Sequence, residues 1–405
     1  MSEKKSILMI PGPTEIPWRV IRAMMRPSIA HYAPEFNIDV LDETLKRLRE
    51  IFQTKNEIIA MPGSGRVALE ASIASIIEPN DRVLSIEAGT FGPWMTEMIK
   101  RVGGRATVFS VEWGKPIDLG RLEDVLSRGN FKALTVVHNE TSTGSMYPID
   151  EIGELTRKYD VLYLVDTVSS LGGIDIKTDE WNIDFNMSAS HKCMGAPIGL
   201  AIVSISDKGW ETMEARKTPS TTFSYDLLRW KKWWLPKERG GALVMGWRRQ
   251  PITMPVHLVY ALEEAMKMIL EEGLDNRFKR HQIAARAVRE GVKALGLELF
   301  PDSRVVSDTV TGVKNPDGIA DSDLRGIMRQ KYGIMISGGI ERQRGKMFRI
   351  GHMGITASAE YILPLFSAIE SSLASLGYKF ERGAGIETAK SILEEIPVPT
   401  RVSPL

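Results

Sequence analysis

Cysteine is nearly absent from this chain: Cys193 is the single one in 405 residues. One cysteine can form neither an internal disulfide nor a thiolate metal cluster, so a disulfide scaffold is excluded and a reducing, cytoplasmic setting is expected. An excess of either charge is missing too. Lys and Arg number 52 against 51 Asp and Glu, a formal net charge of +1, without the basic bias of a nucleic-acid or anionic-membrane binder. No stretch approaches the roughly 18 apolar residues that span a bilayer. The segment 1–10 carries two lysines and only a short apolar run before Pro11, which does not read as an export signal. There is no internal repeat, no Walker loop and no Gly-x-Gly-x-x-Gly fingerprint opening a βαβ unit, and the last absence argues against nicotinamide-dependent redox chemistry. Small-molecule chemistry without metal, membrane or nucleic acid is the expectation that remains.

What is present reads as an α/β protein. Short apolar runs alternate with helical patterns over 57–206, the signature of a mostly parallel sheet with crossover helices. Strands are expected at 57–61, 82–87, 133–138, 161–166, 185–190 and 200–205, several apolar on both faces as buried parallel strands should be. Helices are expected at 67–77, 93–102, 119–127 and 150–158. Gly and Pro mark nearly every junction. The stretch 216–251 breaks the pattern with Trp230, Trp233, Trp234 and Trp247 and reads as an excursion at a site or an interface. Helical periodicity returns at 256–272 and 277–295, then short strands and helices run to about 376. The division expected is an N-terminal segment 1–20, a large domain 21–265, a small C-terminal α+β domain 266–380 and a tail 381–405. The tail holds one possible short helix and then Ile396-Pro397-Val398-Pro399, expected to run over the surface or a neighbouring subunit.

The strongest local signal is Phe185-Asn186-Met187-Ser188-Ala189-Ser190-His191-Lys192, a strand leading directly into a lysine and then the turn Gly195-Ala196-Pro197. An amine at the end of a buried strand loses solvation, its pKa falls, and it can attack an aldehyde to form an imine. Alone, the octamer fits a lysine snorkelling to the surface equally well. A second apolar strand, Val161-Leu162-Tyr163-Leu164-Val165, ends in Asp166. A carboxylate there either keeps a pyridine nitrogen protonated, so that the ring acts as an electron sink, or caps the following turn. Asp and Lys at adjacent strand ends favour the first reading. Pro62-Gly63-Ser64-Gly65-Arg66 ahead of the 67–77 helix supplies glycines, a hydroxyl and a helix N-terminus for a phosphate monoester, although such a run is often only a tight turn.

Taken together, Ser64-Gly65, Thr141-Ser142-Thr143-Gly144, Asp166, His191-Lys192 and Phe348-Arg349-Ile350-Gly351 resemble the motif set of the alanine/serine:glyoxylate aminotransferases, class V enzymes of pyridoxal-phosphate fold type I. The resemblance covers nearly the whole chain, from Met9-Ile10-Pro11-Gly12-Pro13-Thr14 through Leu69-Glu70-Ala71 and Ser169-Ser170-Leu171-Gly172-Gly173 to Arg349. It implies the fold-type I architecture, a large domain with a mostly parallel seven-stranded sheet and a small C-terminal α+β domain. It also implies pyridoxal 5'-phosphate as cofactor, Lys192 as the Schiff-base lysine and Asp166 as partner of the ring nitrogen. By the same resemblance Phe91 stacks on the ring and Thr141 bonds its oxygen. Ser64, Gly65, Arg66 and His191 hold the phosphate or ring edge. Thr253 reaches the phosphate of a partner subunit, so a homodimer with shared active sites is implied, and Arg349 clamps the substrate carboxylate with two parallel donors. Each residue also has a plainer reading: core packing for Phe91 and His191, a turn hydroxyl for Thr141, a surface strand arginine for Arg349.

The chain departs from its relatives at Gln250, where many carry Tyr, and at His31-Tyr32. Both Gln250, beside the cofactor, and His31 are expected to shape the substrate pocket. The ureidoglycine:glyoxylate branch shares stretches similar to Lys177-Thr178-Asp179-Glu180-Trp181 and places amides near these positions. Alanine or serine as donor and glyoxylate or pyruvate as acceptor is therefore the main expectation, with ureidoglycine as the alternative donor and a cofactor-binding protein without transaminase activity as a third reading. A cysteine desulfurase would need its cysteine on a mobile loop, and Cys193 sits beside Lys192 instead.

Overall fold

Where the sequence places apolar residues on both faces of a short run, the chain forms buried strands. A computed structural model describes residues 6–242 and 248–396. Trp247 and Pro397-Val398-Pro399 lie outside the described residues. The central sheet has seven strands: β1 Glu57–Gly63, β2 Arg82–Glu87, β3 Arg105–Ser110, β4 Ala133–Val137, β5 Leu162–Asp166, β6 Phe185–Ala189 and β7 Gly199–Ile205. Their spatial order is β1-β7-β6-β5-β4-β2-β3. All neighbours are parallel except at β7, which runs antiparallel to both β1 and β6. The seven-stranded, mostly parallel sheet is thus as expected. Strands β4, β5 and β6 are buried at every residue; β4 and β5 accordingly read as nearly continuous apolar runs, whereas β6 also buries Asn186, which hydrogen-bonds Thr167 and Thr178.

One strand was not among those expected. β3 (Arg-Ala-Thr-Val-Phe-Ser) forms the edge, pairs only with β2, and leaves most of its side chains at least partly exposed. With no second neighbour to bury it, it carries no apolar run to detect. Helices flank the sheet, among them α1 Gly65–Ile76 and α2 Phe91–Arg101, followed later by α3 Val256–Glu272 and α4 Leu274–Ala294. Upstream of the sheet, the helical stretches Trp18–Ala23 and Glu35–Phe52 are further elements for which no expectation had been formed.

The second body is an antiparallel sheet in the order β8-β10-β9, with β8 Val310–Lys314, β9 Ser337–Gly338 and β10 Met347–Gly351. It is backed by α5 Ala359–Ser375 and α6 Ala384–Leu393. Phe348 and Ile350 of β10 enter its core beside Val288, Phe366 and Leu393, so alternation along the strand turns Arg349 to the opposite face. The N-terminal strand Ile7–Leu8 pairs with Ile334–Met335, and Met9 is buried in this smaller core. The larger core continues along α3 through Met266 and Ile269.

The tryptophan-rich excursion is anchored to the large body. Trp230 and Trp234 are buried in its core, Arg216 donates from Nη1 to the Ala74 carbonyl at 2.7 Å, and the Leu227 N–H donates to Ser75 Oγ at 3.1 Å. Tyr225 donates its hydroxyl to the Pro62 carbonyl at 3.1 Å, which ties the excursion to the loop ahead of α1.

Candidate active site

Parallel strands deliver side chains to their carboxyl ends, and ligands in open α/β sheets bind there. The ends of β4, β5 and β6 and the N-terminus of α1 enclose a cavity of about 270 Å³. Its lining includes Ser64, Gly65, Arg66, Phe91, Thr141, Asp166, His191 and Lys192, eight of the residues singled out from the sequence, together with Asn139, Val168 and Ser169. Arg349 sits next to this group: it is 7% exposed, and its Nη1 donates to the Thr141 carbonyl at 2.9 Å. His31, Gln250 and Thr253 do not line the cavity. His31 packs edge-on against Tyr32. Gln250 is buried and donates from Nε2 to Asn37 Oδ1 at 2.8 Å, because the segment that carries it packs on the 35–52 helical stretch. Thr253 is exposed.

Burial sets the electrostatics. Desolvation lowers the Lys192 amine to about 8, with Arg349 adding to the effect while Cys193 and Asp166 oppose it. At pH 7 about a tenth of such an amine is the free base, against well under a thousandth for an ordinary lysine. The amine donates to the Pro11 carbonyl. Gly12, at φ +111°, is needed beside it, because any Cβ there would overlap the lysine side chain. Desolvation raises Asp166 to about 7, the Val168 N–H opposing this by donating to Asp166 Oδ1 at 2.8 Å. Its second oxygen has no protein donor among the described residues. His191 is lowered to about 4 by burial first and by Lys192 second, and is therefore neutral.

Several unused groups fit a phosphate-bearing aromatic cofactor. Ser64 is the N-cap of α1, yet its hydroxyl makes no capping hydrogen bond. The first N–H groups of a helix lack intrahelical partners and favour an anion. Arg66 stacks on Trp94 at 4.2 Å and forms no ion pair among the described residues. His191 Nδ1 and Asn139 Oδ1 are buried without a partner. Phe91 offers an aromatic face at one wall and Val168 an apolar surface.

Two participants were not read from the sequence. Asn139 lines the cavity, and Glu140, 1% exposed, accepts from Ser142 Oγ at 2.6 Å, from Ser142 N–H at 3.0 Å and from Phe91 N–H at 3.1 Å. A polar pair between an apolar strand and the Thr141-Ser142-Thr143-Gly144 turn was the available signal. The turn overshadowed it.

Comparison with known proteins agrees with this geometry. The aminotransferase class-V family profile matches residues 8–355. An uncharacterised aminotransferase of Methanocaldococcus jannaschii is 42% identical, over 96% of this chain and 98% of its own length. The serine–glyoxylate aminotransferase of Arabidopsis thaliana is 32% identical over 98% and 97%. Among solved structures, the ureidoglycine–glyoxylate aminotransferase of Bacillus subtilis superimposes with a TM-score of 0.91 at 33% identity, covering 97% of this chain and 99% of that one. The chain belongs to the class-V aminotransferases, a family of pyridoxal-phosphate-dependent enzymes.

Proposed function

We propose that this class-V aminotransferase binds pyridoxal 5'-phosphate in the 270 Å³ cavity and moves an amino group from alanine or serine to glyoxylate or pyruvate. The observation that carries the proposal is the convergence of Lys192, Asp166 and an unpaired phosphate-sized set, Ser64, Gly65, Arg66 and His191, on one cavity with Arg349 beside it. Alanine–glyoxylate and serine–glyoxylate enzymes among the relatives support the substrate class.

When bound, the cofactor supplies an electrophilic carbon and a ring that withdraws electrons from the substrate α-carbon. The lowered pKa of Lys192 leaves its amine able to hold the cofactor's aldehyde carbon, and the same amine would serve as the base that removes and returns the substrate α-proton. Asp166, with one oxygen left free by Val168, would hold a proton on a pyridine nitrogen. Thr141 and Phe91 line the same cavity and would hold the ring edge and face. Arg349 uses two of its five donors on the Gly338 and Thr141 carbonyls, both at 2.9 Å, and its other donors have no protein acceptor among the described residues. They are free to take a substrate carboxylate bidentately, which orients a small substrate by one strong contact.

Thr253, exposed and away from its own chain's cavity, suits the expected role of reaching a partner's phosphate in a homodimer, and His31 is assigned to the same shared wall, whereas Gln250 is buried against Asn37. The enzyme is proposed to act in the cytoplasm; no helix among the described residues is long and apolar enough to cross a membrane. A second reading, ureidoglycine as donor, is favoured by the likeness to the Bacillus subtilis enzyme. The test is a panel on purified protein with added pyridoxal phosphate, crossing alanine, serine, glycine, aspartate and ureidoglycine with glyoxylate, pyruvate and 2-oxoglutarate. Preference for alanine or serine with glyoxylate or pyruvate supports the first reading. Preference for ureidoglycine replaces it with the second, and a bound cofactor without transamination contradicts both.

A further inference from the structure

Glu140 is a buried carboxylate that the reaction described above leaves unused. Three donors converge on it: Phe91 N–H on Oε2, and Ser142 N–H and Oγ–H on Oε1. Acceptance from three donors is the pattern of an ionised carboxylate, which has no proton of its own to give. Ser142 Oγ in turn accepts from Thr90 N–H at 3.1 Å. Glu140 therefore ties the start of α2, where Phe91 stands, to the turn whose Thr141 carbonyl holds Arg349. That turn is itself pressed against β8. Gly144 has φ +76°, and a Cβ there would lie 2.7 Å from the Gly312 nitrogen.

The charge of Glu140 matters as much as its hydrogen bonds. Arg349 is a buried guanidinium with no ion pair among the described residues. Burial lowers it to about 10, the field of Glu140 opposes that, and Arg325 reinforces it. Burial raises Glu140, while its hydrogen bonds from Ser142 and Phe91 and the charge of Arg349 oppose that and favour the anion. The two charges interact without touching, so Arg349 keeps a counter-charge while its remaining donors stay open.

We propose that Glu140 is a positioning residue for substrate carboxylates: a buried anion that fixes the Phe91 and Thr141 segments and offsets part of the charge on Arg349. It thereby holds carboxylate binding below the strength an uncompensated arginine would give. The proposal rests on Arg349 being the carboxylate clamp. Its consequence is a charge dependence opposite to that of simple structural damage. Neutralising Glu140 tightens carboxylate binding, whereas loss of local structure weakens it. Protonation of Glu140 has the same sign, so carboxylate binding strengthens as pH falls through its titration. The other groups in that field are Asp166 and Tyr147, each raised in part by Glu140, and Lys192, which faces Asp166 and Arg349.

The experiment measures acetate binding to holoenzyme loaded with pyridoxal phosphate, by calorimetric titration and by competition with the amino donor. Glu140→Gln is expected to bind acetate roughly five- to fiftyfold more tightly, the size of one partly screened charge at short range. Glu140→Asp, which keeps the charge, is expected to return affinity toward the parent value. Arg349→Ala is expected to weaken acetate at least about tenfold, and adding Glu140→Gln to it is expected to give no gain. Unchanged or weaker acetate binding by Glu140→Gln, with Arg349→Ala weakened, overturns this inference alone. Acetate binding unaffected by Arg349→Ala overturns the clamp and the inference together. If Glu140→Gln does not fold, Ser142→Ala serves instead. It removes one donor to Glu140, so the tightening on acidification must begin at higher pH, in the range where acetate stays ionised, and no displacement contradicts the proposal.

Discussion

Arg349 Nη1 donates to the carbonyl of Thr141 at 2.9 Å, joining residues 208 positions apart in the chain. The bond carries the small domain's arginine to the rim of a cavity built by the large domain. An arginine in β10 has a defined reach because Phe348 and Ile350 on either side are locked in the small core. Arg349→Lys keeps the charge but loses the planar fork, so it is not a conservative change here. It is expected to reduce kcat/KM for amino donor and oxo acceptor alike, by about ten- to a hundredfold, the worth of a charge-assisted bond of about 1.5–3 kcal/mol. Steady-state kinetics with both substrates varied check this, and a loss confined to one substrate counts against a shared carboxylate site.

Asp166 is held in a costly state. Its folded pKa of about 7 lies above the ordinary value of 3.8 because burial disfavours the carboxylate. The folded chain binds this proton more tightly than the unfolded one, so the associated stability is present below about pH 4 and is lost as pH rises through about 7. Asp166→Asn removes that penalty. In cofactor-free protein it is expected to raise stability, and with it the melting temperature, at pH 8, by at most about 4 kcal/mol, and in loaded protein to abolish transamination. Thermal melts at pH 5 and pH 8 check the sign, since the gain should shrink at the lower pH.

Lys192 titrates near 8 in the cofactor-free protein, and only its neutral amine attacks an aldehyde. The rate at which stripped enzyme captures pyridoxal phosphate covalently is expected to rise through about pH 8 and then level. Stopped-flow absorbance across pH 6 to pH 10 (roughly the span of this titration) reads it. A rate that does not change across this range contradicts the assigned state of the amine.

The tryptophan-rich excursion is anchored in the core by Trp230 and Trp234. Trp230 is 1% exposed and packs in the large domain's interior. Trp230→Ala is expected to cost about 3–5 kcal/mol of stability, measured by denaturant unfolding. A cost below about 1 kcal/mol would mark the segment as a movable cover instead.

Much of this architecture was readable from the chain because its candidate site residues Asp166 and Lys192 stand at the ends of buried strands. Asp166 closes the apolar run 161–165, Lys192 follows the strand-turn junction of β6, and helix α3 was expected at 256–272 and is found there. What could not be read has physical causes. The edge strand β3 lacks the apolar signature because one side of it meets solvent. Glu140 was hidden because a carboxylate beside a turn reads as surface, and only the fold shows Phe91 N–H and Ser142 converging on it. Gln250 reads as a pocket residue, yet its partner Asn37 lies in a helical stretch the sequence did not announce.

The central claim is that Lys192 is the group through which the cofactor is held and the proton is moved. Borohydride reduction of the loaded enzyme, followed by peptide mass mapping, tests it most directly, with turnover of Lys192→Ala measured alongside. Cofactor mass is expected on the peptide containing Lys192 and none on the variant, with no turnover by a variant that still folds. Cofactor fixed on another lysine, or transamination by Lys192→Ala at the parent rate, would contradict the claim.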